Sequence, residues 1–288
     1  MTFSNIAAII PCYNSEETIS LVVRETQKYL HDIIVVDDGS QDKSARKAKE
    51  SGAKVISLRQ NRGVGIATKI GMQTAMKMKM NAVITLDADG AHNPKDIKNL
   101  IKTHLEQKNL LTIGNRWKRY NPNLPSSKWW ANQFASLLIN RISKTYLPDV
   151  ACGFRIFNSQ LVDKLLRTDT SKGFGFIYQS IFLAKEIGKI GYAEVDVRYD
   201  ANYLFATKKT ELVHLLDISN QYCVDSQMQS TIKNILKEVS QMNKVFIRLN
   251  FNSGFEYIIL YPLIEQQLFV FQRQHPQFVF NQSEFIEL

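Results

Sequence analysis

The chain has 288 residues and a formal net charge of +9, with 36 lysines and arginines against 27 aspartates and glutamates. This length can bury a sizeable core in one large domain or two modest ones. The charge favours anionic partners such as nucleotides, phospholipid surfaces or nucleic acid without choosing among them. The three cysteines have no Cys-x-x-Cys spacing, which argues against a disulfide framework or a zinc knuckle and favours a reducing compartment.

The sequence predicts neither a targeting signal nor a membrane span. Its first ten residues, MTFSNIAAII, have no charged leader and no cleavage-type small residues. Apolar stretches stay well short of the ~20 residues that a membrane-spanning helix needs. We therefore expect a cytoplasmic protein that is either soluble or peripheral at the cytoplasmic face of a membrane.

The first part of the chain alternates short apolar runs with segments of helical periodicity. Continuous apolar runs of this length predict strands that are buried on both faces. We expect Asn14 and Glu17 to cap the first helix and Pro94 to open the fourth. The pattern indicates a doubly wound parallel sheet. The predicted strands are 5–10, 32–38, 53–59 and 81–87, and the predicted helices are 18–30, 43–52, 65–80 and 94–108.

The second part of the chain changes character twice. A loop rich in Pro, Asn and Ser leads into a helix, and mixed elements follow to about residue 199. After residue 207, a long helical segment precedes an alternating pattern around Asn-Ser-Gly, which indicates a hairpin. The predicted helices here are 131–147, 159–167, 178–188 and 210–242, the predicted strands are 152–157 and 192–199, and the hairpin is 244–263.

Four polar clusters follow the predicted strands of the first part: PCYN, DDGS, NRGVG and DADG. In open α/β sheets, ligands bind beyond the carboxyl ends of the strands, so we expect one site there. A dinucleotide-binding unit is excluded, because no glycine fingerprint follows the first strand. A P-loop is excluded, because no Gly-Lys-Ser/Thr follows any strand.

Two carboxylates, Asp87 and Asp89, stand one residue apart at the end of an apolar run, where they repel each other. An EF-hand calcium loop also starts Asp-x-Asp, but it needs its glycine later than Gly90 and a closing glutamate at a fixed distance. Mg²⁺ or Mn²⁺ would relieve the repulsion, since such ions bind through one or two carboxylates plus substrate phosphate oxygens. The alternative is that one aspartate caps the turn and the other is solvated.

Five motifs occur in an order and spacing that resembles family 2 glycosyltransferases of the GT-A fold, with the polyprenyl-phosphate sugar transferases of the dolichol-phosphate mannose synthase type as the nearest group. These motifs are PCYNSEETI, VVDDGSQD, NRGVGIATKIG, LDADGAHNP and DVACGFRIF. The resemblance covers about residues 5 to 200. It implies a doubly wound mixed α/β sheet, with 1–206 as the catalytic domain and 207–288 as an extension, a helix followed by a β-hairpin, whose role it does not assign.

The resemblance also implies a set of site residues. Base and ribose contacts would come from the first two clusters, at Pro11, Tyr13, Asp37 and Asp38. The glycines Gly63 and Gly65 would let the backbone approach the nucleotide closely. The metal ligands would be Asp87 and Asp89, with Asp89 nearest the diphosphate. The acceptor phosphate would meet Arg116 and Arg155, for which a structural ion pair is the alternative.

The reaction that the resemblance implies is transfer of a sugar, with inversion, from a UDP- or GDP-sugar to a polyprenyl phosphate, with Mg²⁺ or Mn²⁺ as cofactor. A phosphate acceptor is already an anion at neutral pH and needs no general base, whereas a hydroxyl acceptor does. Hydroxyl-using relatives usually carry an acidic pair where this chain has Gln179 and Ser180, so an ionised acceptor fits better.

Several positions depart from the family pattern. Ala91 replaces a frequent glutamine, Asn132 aligns with a frequent arginine, and Gln179 replaces a frequent glutamate. His92 is expected beside the metal ligands as a turn residue, with a metal contact as the alternative. These departures keep open a catalytically silent protein that binds nucleotide sugars.

Two further alternatives remain open at this point. The first is transfer to a saccharide or protein hydroxyl in place of a lipid phosphate. The second, a nucleic-acid binder, is disfavoured because the basic residues are dispersed and the acidic strand ends would repel phosphate. For the C-terminal hairpin, the sequence leaves open a cover for the sheet, a homodimer contact or a membrane contact.

Overall fold

A computed structural model describes residues 5–117, 126–169, 173–198, 209–241, 244–250, 256–262 and 269–272. Within these ranges, side chains are described for 5–117, 132–169, 173–198 and 211–237. Seven strands form one sheet in the order β3-β2-β1-β4-β6-β5-β7. The strands are β1 (Ile6–Cys12), β2 (Asp32–Asp37), β3 (Lys54–Ser57), β4 (Ala82–Thr85), β5 (Leu111–Asn115), β6 (Arg155–Asn158) and β7 (Ile190–Glu194).

Helices cover the sheet and continue beyond it. A 3₁₀ turn at Pro94–Asp96 leads directly into α4, which confirms the expected start at a proline, and Asn93 caps this turn through its side chain. The helices are α1 (Ile19–Gln27), α2 (Ser44–Glu50), α3 (Val64–Lys77), α4 (Ile97–Glu106), α5 (Ser126–Ser143), α6 (Ser159–Arg167), α7 (Gly175–Ile187), α8 (Lys209–Tyr222) and α9 (Ser226–Gln241).

The sheet is mixed, as the resemblance implies. Strands β1 to β4 are parallel, and β5 is parallel to β7, but β6 runs antiparallel to both β4 and β5. The parallel direction predicted from periodicity for the first four strands is confirmed, and the sheet becomes mixed at β6. Strand β5 is absent from the sequence-based prediction, because its five residues lie between a helix and a long loop without a turn signal of their own.

Close contact between α3 and the sheet fixes the edge where ligands are expected. Gly71 faces β1, and a Cβ atom at this position would overlap the Cγ2 atom of Ile9. In the strands beneath α3, every residue except Pro11 and Asp32 is buried, as expected for the continuous apolar runs of β1 and β2. The first turn of α3 is thereby held above the carboxyl ends of β1 and β4.

The start of α1 differs from the prediction. The helix begins at Ile19, and its N-cap residue Thr18 makes no side-chain capping hydrogen bond. Asn14 instead accepts a hydrogen bond from the amide of Gln41 at 2.9 Å, which ties the β1 loop to the β2 loop. The predicted Asn14 and Glu17 capping pair is wrong, because Asn14 has a positive φ and bonds across the sheet edge.

The C-terminal helices pack on the same core. Leu212, Leu215 and Leu216 of α8 are buried and belong to the cluster that includes the sheet.

The predicted hairpin is confirmed as the antiparallel pair of β8 (Lys244–Asn250) with β9 (Glu256–Pro262), and β10 (Phe269–Gln272) adds a third strand. The predicted domain boundary at residue 206 falls at 199–208, outside the described residues, and stays a prediction. Among the described helices, none combines the length and apolarity that a bilayer crossing requires.

We predict that His104 makes the protein less stable in acid. The side chain is buried at the end of α4, where Nδ1 lies 3.0 Å from the Thr112 hydroxyl, and burial lowers the pKa of His104 to about 4. Because the folded state binds this proton less readily than the unfolded chain, the free energy of unfolding should fall as pH drops from 6.5 to 4. The full effect is on the order of 3 kcal/mol.

Urea unfolding of wild type and His104→Asn between pH 7 and pH 4 tests this prediction. Asparagine keeps a polar atom near Nδ1 but does not titrate, so the variant should show the flatter pH dependence. His31→Asn is the matched control, since the His31 side chain is 98% exposed and should leave the wild-type slope unchanged. Equal slopes for wild type and His104→Asn would contradict the prediction.

Candidate active site

A cleft of about 890 Å³ lies at the carboxyl ends of β1, β2 and β4 and at the first turn of α3. The turn before α7 and one side chain of α8 complete its wall. The lining includes all but one residue of each of the predicted clusters PCYN, NRGVG and DADG, and one residue of the DDGS cluster. The lining residues are Pro11, Cys12, Tyr13, Ser15, Asp38, Gln60, Asn61, Arg62, Gly63, Val64, Ile66, Ala67, Asp87, Ala88, Asp89, Gly173, Phe174 and His214.

Asp38 holds the loop that precedes α3. One carboxylate oxygen accepts the amide of Arg62 and the other accepts the amide of Gly63, both at 2.8 Å. Asp38 is buried, and Gly63 has φ of +93°, a backbone conformation that favours glycine. Gly63 is the N-cap residue of α3, and Gly65 is buried in the first turn behind it. Asp38 therefore shapes the cleft through the backbone.

The other residues predicted to contact the nucleotide divide into two groups. Pro11 and Tyr13 line the cleft, and the Tyr13 side chain is largely exposed to it. Asp37 is buried outside the lining, where its Oδ1 accepts the amide of Ser40 at 3.2 Å. This turn position does not fit the predicted contact of Asp37 with the base or ribose.

The structure brings Asp87 and Asp89 together on the cleft, as the motif predicts. The Asp87 side chain is 48% exposed, and Gly153 packs so closely on its carboxylate that a Cβ atom would lie 2.9 Å from Oδ1. The Oδ1 atom of Asp89 accepts the amide of Ala91 at 2.8 Å, which fixes the turn after β4. Asp89 therefore caps this turn and also faces the cleft.

The His92 side chain stabilises the turn after β4. Its Nδ1 accepts the amide of Asp87 at 3.2 Å, its ring stacks on Phe154 at 5.1 Å, and its Nε2 lies 3.9 Å from the sulfur of Cys152. An acceptor at Nδ1 places the ring proton on Nε2, so the 3.7 Å separation of Nδ1 from Asp87 Oδ2 is not an ion pair. The predicted role of His92 as a turn residue matches this geometry.

The donor atoms at this turn fit a hard divalent cation. Asp87 and Asp89 offer carboxylate oxygens beside an open cleft, which suits Mg²⁺ or Mn²⁺. Within the described ranges, no group of three or more His, Cys, Asp and Glu side chains is placed to hold a metal. A cation bound between these two carboxylates would take the rest of its shell from water or a phosphate-bearing substrate.

Arg116 forms an ion pair beneath the loop that follows β5. Its Nε and Nη2 atoms donate to the two oxygens of Asp149 at 2.7 and 2.9 Å, and Asp149 is fully buried. Asn132, in the amide orientation that its neighbours require, donates to Asp149 at 2.9 Å and accepts from the Trp117 indole. Two guanidinium nitrogens of Arg116 thus bond to the Asp149 carboxylate. The geometry therefore favours the ion-pair alternative over the predicted contact with the acceptor phosphate.

Arg155 is fully buried and bonds to the backbone around it. Its guanidinium donates to the carbonyl oxygens of Val150, Cys152 and Ile177, each at 2.6 Å, and to the Ser180 hydroxyl at 2.9 Å. Burial lowers the pKa of Arg155 to about 10. These hydrogen bonds join the segment before β6 to α7. The buried position of Arg155 does not fit its predicted contact with the phosphate of the acceptor substrate.

Gln179 and Ser180, at the α7 positions where the resemblance implies an acidic pair in hydroxyl-using relatives, also bond to the backbone. Gln179 is buried and donates to the carbonyl of Asp169 at 2.8 Å, and Ser180 donates to the carbonyl of Ile177 at 2.7 Å. Neither side chain lines the cleft. Both side chains thus have hydrogen-bond partners within the protein.

Sequence reasoning missed the residues that approach the cleft from the second half of the chain. These are Gly173 and Phe174 before α7 and His214 on α8. Sequence reasoning also missed Asp149 as the partner of Arg116. The GFGF segment at 173–176 matches none of the five motifs, and His214 lies between apolar residues in the stretch LVHLL. No local signal distinguishes such a histidine from a core residue.

Comparisons with known proteins agree with the fold. The family model described as "Glycosyl transferase family 2" matches residues 7–166. A dolichyl-phosphate N-acetylglucosaminyltransferase of Methanococcus voltae that uses UDP-N-acetylglucosamine is 31% identical over 67% of this chain and 84% of its own length. An undecaprenyl-phosphate 4-deoxy-4-formamido-L-arabinose transferase of Photorhabdus laumondii is 27% identical over 74% of this chain and 65% of its own length.

A solved structure gives the same fold. The glucosyl-3-phosphoglycerate synthase of Mycobacterium tuberculosis, crystallised with Mn²⁺, UDP-glucose and phosphoglyceric acid, superposes with a TM-score of 0.58. The match covers 77% of this chain and 81% of that chain at 19% sequence identity. At this identity the likeness establishes the fold alone, which is that of the GT-A glycosyltransferases.

We predict that Arg155→Lys lowers the free energy of unfolding by about 2–3 kcal/mol, because a single ammonium cannot reach the acceptors that the planar guanidinium spans. Urea unfolding measures the change. Arg141→Lys, at an exposed position of α5, is the matched control and should stay within about 0.5 kcal/mol of wild type. Unchanged stability of Arg155→Lys would contradict the structural assignment.

Proposed function

The chain belongs to glycosyl transferase family 2, and we propose that it transfers a sugar, with inversion, from a nucleoside diphosphate donor to a polyprenyl phosphate. The observation that carries this proposal is the position of Asp87 and Asp89 on one cleft with Pro11, Tyr13 and the loop before α3. Carboxylates, an aromatic ring and close backbone amides on one surface suit a nucleotide diphosphate.

The donor end of the proposed complex uses three parts of the cleft. Pro11 and Tyr13 face the base, and the loop held by Asp38 lies beside the ribose and the diphosphate. The first turn of α3 lines the same wall, so its partial positive charge favours the anionic part of the donor. These groups orient the donor before the reaction begins.

Asp87 and Asp89 would hold Mg²⁺ or Mn²⁺ in this complex. When bound, the cation would supply Lewis-acid stabilisation of the negative charge that develops on the departing diphosphate. The role of the two aspartates is to hold the cation at the turn after β4. This turn is itself fixed by the Ala91 amide and by His92. The crystallised relative contains Mn²⁺ with UDP-glucose, which supports this choice of cofactor.

The acceptor in this proposal is an ionised phosphate. Such an acceptor attacks without losing a proton, and the acidic-pair position on α7 carries Gln179 and Ser180, which have other partners. Two of the similar proteins are named for dolichyl phosphate and undecaprenyl phosphate acceptors, which supports the same choice. A lipid acceptor also implies that the protein works as a peripheral protein at a membrane surface.

We predict that Asp89→Asn lowers kcat/KM by at least about 100-fold, because charge stabilisation of the leaving group is lost. Asparagine keeps the acceptor atom for the Ala91 amide, so the fold should be retained. Titration calorimetry should show, in addition, that Mn²⁺ no longer strengthens UDP binding.

Asp163→Asn is the matched control, since Asp163 lies on the exposed face of α6 in an ion pair with Arg167. It should keep wild-type turnover and the effect of Mn²⁺ on UDP affinity. Wild-type turnover by Asp89→Asn with unchanged Mn²⁺ dependence would remove the proposed role of the cation site.

We predict that transfer occurs to undecaprenyl phosphate or dolichyl phosphate in lipid vesicles and not to free oligosaccharides. The measurement uses radiolabelled UDP-glucose, UDP-N-acetylglucosamine and GDP-mannose, each with Mn²⁺, and separates lipid-linked from water-soluble product. Transfer to oligosaccharides alone would favour the hydroxyl-acceptor alternative. Donor binding without transfer to either class would favour a silent binding protein.

A further inference from the structure

A second, smaller pocket of about 50 Å³ adjoins the cleft. Both are lined by Pro11, Val64, Asp87, Gly173 and Phe174, so the smaller pocket, which we call the side pocket, opens on the cleft. The Asp87 side chain is 48% exposed and Phe174 is 45% exposed, so a ligand in the cleft has access to this opening. The side pocket extends from there to buried residues of α3, β6 and α7, which are Gly65, Phe157 and Phe176.

The wall of the side pocket is mainly apolar. Asp87 stands at the opening. Farther in, the Thr68 hydroxyl donates to the carbonyl of Val64 and the Thr85 hydroxyl donates to the carbonyl of Gly153, each at 2.7 Å. Arg155, also in the wall, donates to the backbone around it. A group that enters the side pocket therefore meets carbon atoms and donors that are already used. The apolar side chains in the wall are Val64, Ala151, Phe157, Phe174, Phe176 and Ile177.

The volume of the side pocket limits what it can hold. Since a water molecule needs at least about 10–15 Å³ of such space, about 50 Å³ accommodates roughly three or four non-hydrogen atoms. A whole sugar ring is too large, and so is a prenyl chain that continues over many carbons. The side pocket therefore suits a short side group of a ligand whose main part lies in the cleft.

The part of the proposed donor nearest to the side pocket is its sugar. The opening is lined by Asp87, one of the two aspartates at the turn after β4, and by Val64 in the first turn of α3. In the proposed complex, these two elements bind the diphosphate. The sugar is bonded directly to the diphosphate, so it lies beside the opening.

Among the groups that a sugar carries, an N-acyl group suits this pocket best. A hydroxyl group would exchange its hydrogen bonds with water for an apolar wall, which costs free energy. A methyl group directly on the sugar ring would leave most of the volume unfilled. An acetamido group has the right size, and its terminal methyl group gains free energy when it leaves water. Its amide nitrogen, which is bonded to the ring, stays nearest the hydrated cleft.

We propose that the side pocket binds the N-acyl group of the donor sugar, so that the protein selects N-acylated amino sugars over the corresponding hexoses. This inference rests on the proposed function, since it takes a nucleotide sugar as the occupant of the cleft. It adds the class of sugar, which the acidic pair and the nucleotide contacts leave open.

Titration calorimetry with Mn²⁺ compares donors that differ only by an N-acetyl group in place of a hydroxyl. The ligands are UDP-N-acetylglucosamine with UDP-glucose, UDP-N-acetylgalactosamine with UDP-galactose, GDP-mannose, and free UDP and GDP. In the pair that wild type binds more tightly, the affinity for the N-acetyl donor should exceed that for its hexose partner by at least about 10-fold, as expected for an apolar group that fills a pocket.

Two variants test whether the side pocket is the source of this preference. Ala151→Val adds carbon to the wall. It should lower the affinity for the N-acetyl donor by at least about 10-fold, while the affinities for the hexose donor and free UDP change by less than about 2-fold. Ile177→Ala enlarges the pocket. It should therefore favour UDP-N-azidoacetylglucosamine, whose acyl group is longer, relative to UDP-N-acetylglucosamine. Neither residue lines the cleft.

Val224→Ala is the matched control, since Val224 is 94% exposed and its substitution should change neither affinity ratio. Melting temperatures identify a variant that fails to fold. The two wall variants change the pocket in opposite directions, so either one that folds decides the point together with the wild-type comparison.

The outcomes separate this inference from the proposed function. Wild-type affinity for a hexose donor or GDP-mannose that equals or exceeds that for the N-acetyl donors overturns the inference and leaves the proposed function intact. A wild-type preference that both wall variants retain also overturns it, because the selectivity then arises elsewhere. If wild type binds no nucleotide sugar and neither free nucleotide, the proposed function fails, and the inference fails with it.

Discussion

The cleft depends on the hydrogen bonds from two consecutive backbone amides to the carboxylate of Asp38. A loop with a left-handed glycine at the start of a helix has several conformations open to it, and ordering it costs conformational entropy. Hydrogen bonds to a charged acceptor offset this cost by about 1.5–3 kcal/mol each. Because α3 follows the loop directly and packs on β1 through Gly71, the position of the loop also fixes the helix end that lines the cleft.

Polar residues in this protein divide between backbone supports and groups that remain available to a ligand. Asp37, Asp38, His92 and Arg155 use their polar atoms on backbone amides or carbonyls, whereas the carboxylates of Asp87 and Asp89 still face the cleft. Support of this kind is expected where charged groups must keep a fixed geometry in the absence of a ligand. Asp87 and Asp89 thus bring two carboxylates to the cleft, and the supported backbone fixes its shape.

Elements from the second half of the chain complete the wall of the cleft. Arg155 joins the segment before β6 to α7, and the turn before α7 carries Gly173 and Phe174 into the cleft wall. Helix α8 packs on α7 and adds His214 to that wall. The cleft built by the strands and clusters of the first half is therefore completed by elements that lie outside the ordered motifs.

The sequence by itself determined the strands of the first half, the position of the acidic pair and the family, because continuous apolar runs and ordered motifs are local signals. Only the tertiary structure decided which charged residues line the cleft. Arg116 and Arg155 match family motifs, yet Arg116 meets Asp149, and Arg155 meets Ile177 and Ser180 of α7, only when segments distant in the chain pack together. The same holds for the antiparallel direction of β6 and for His214, since strand direction and cleft lining depend on contacts between segments far apart in the chain.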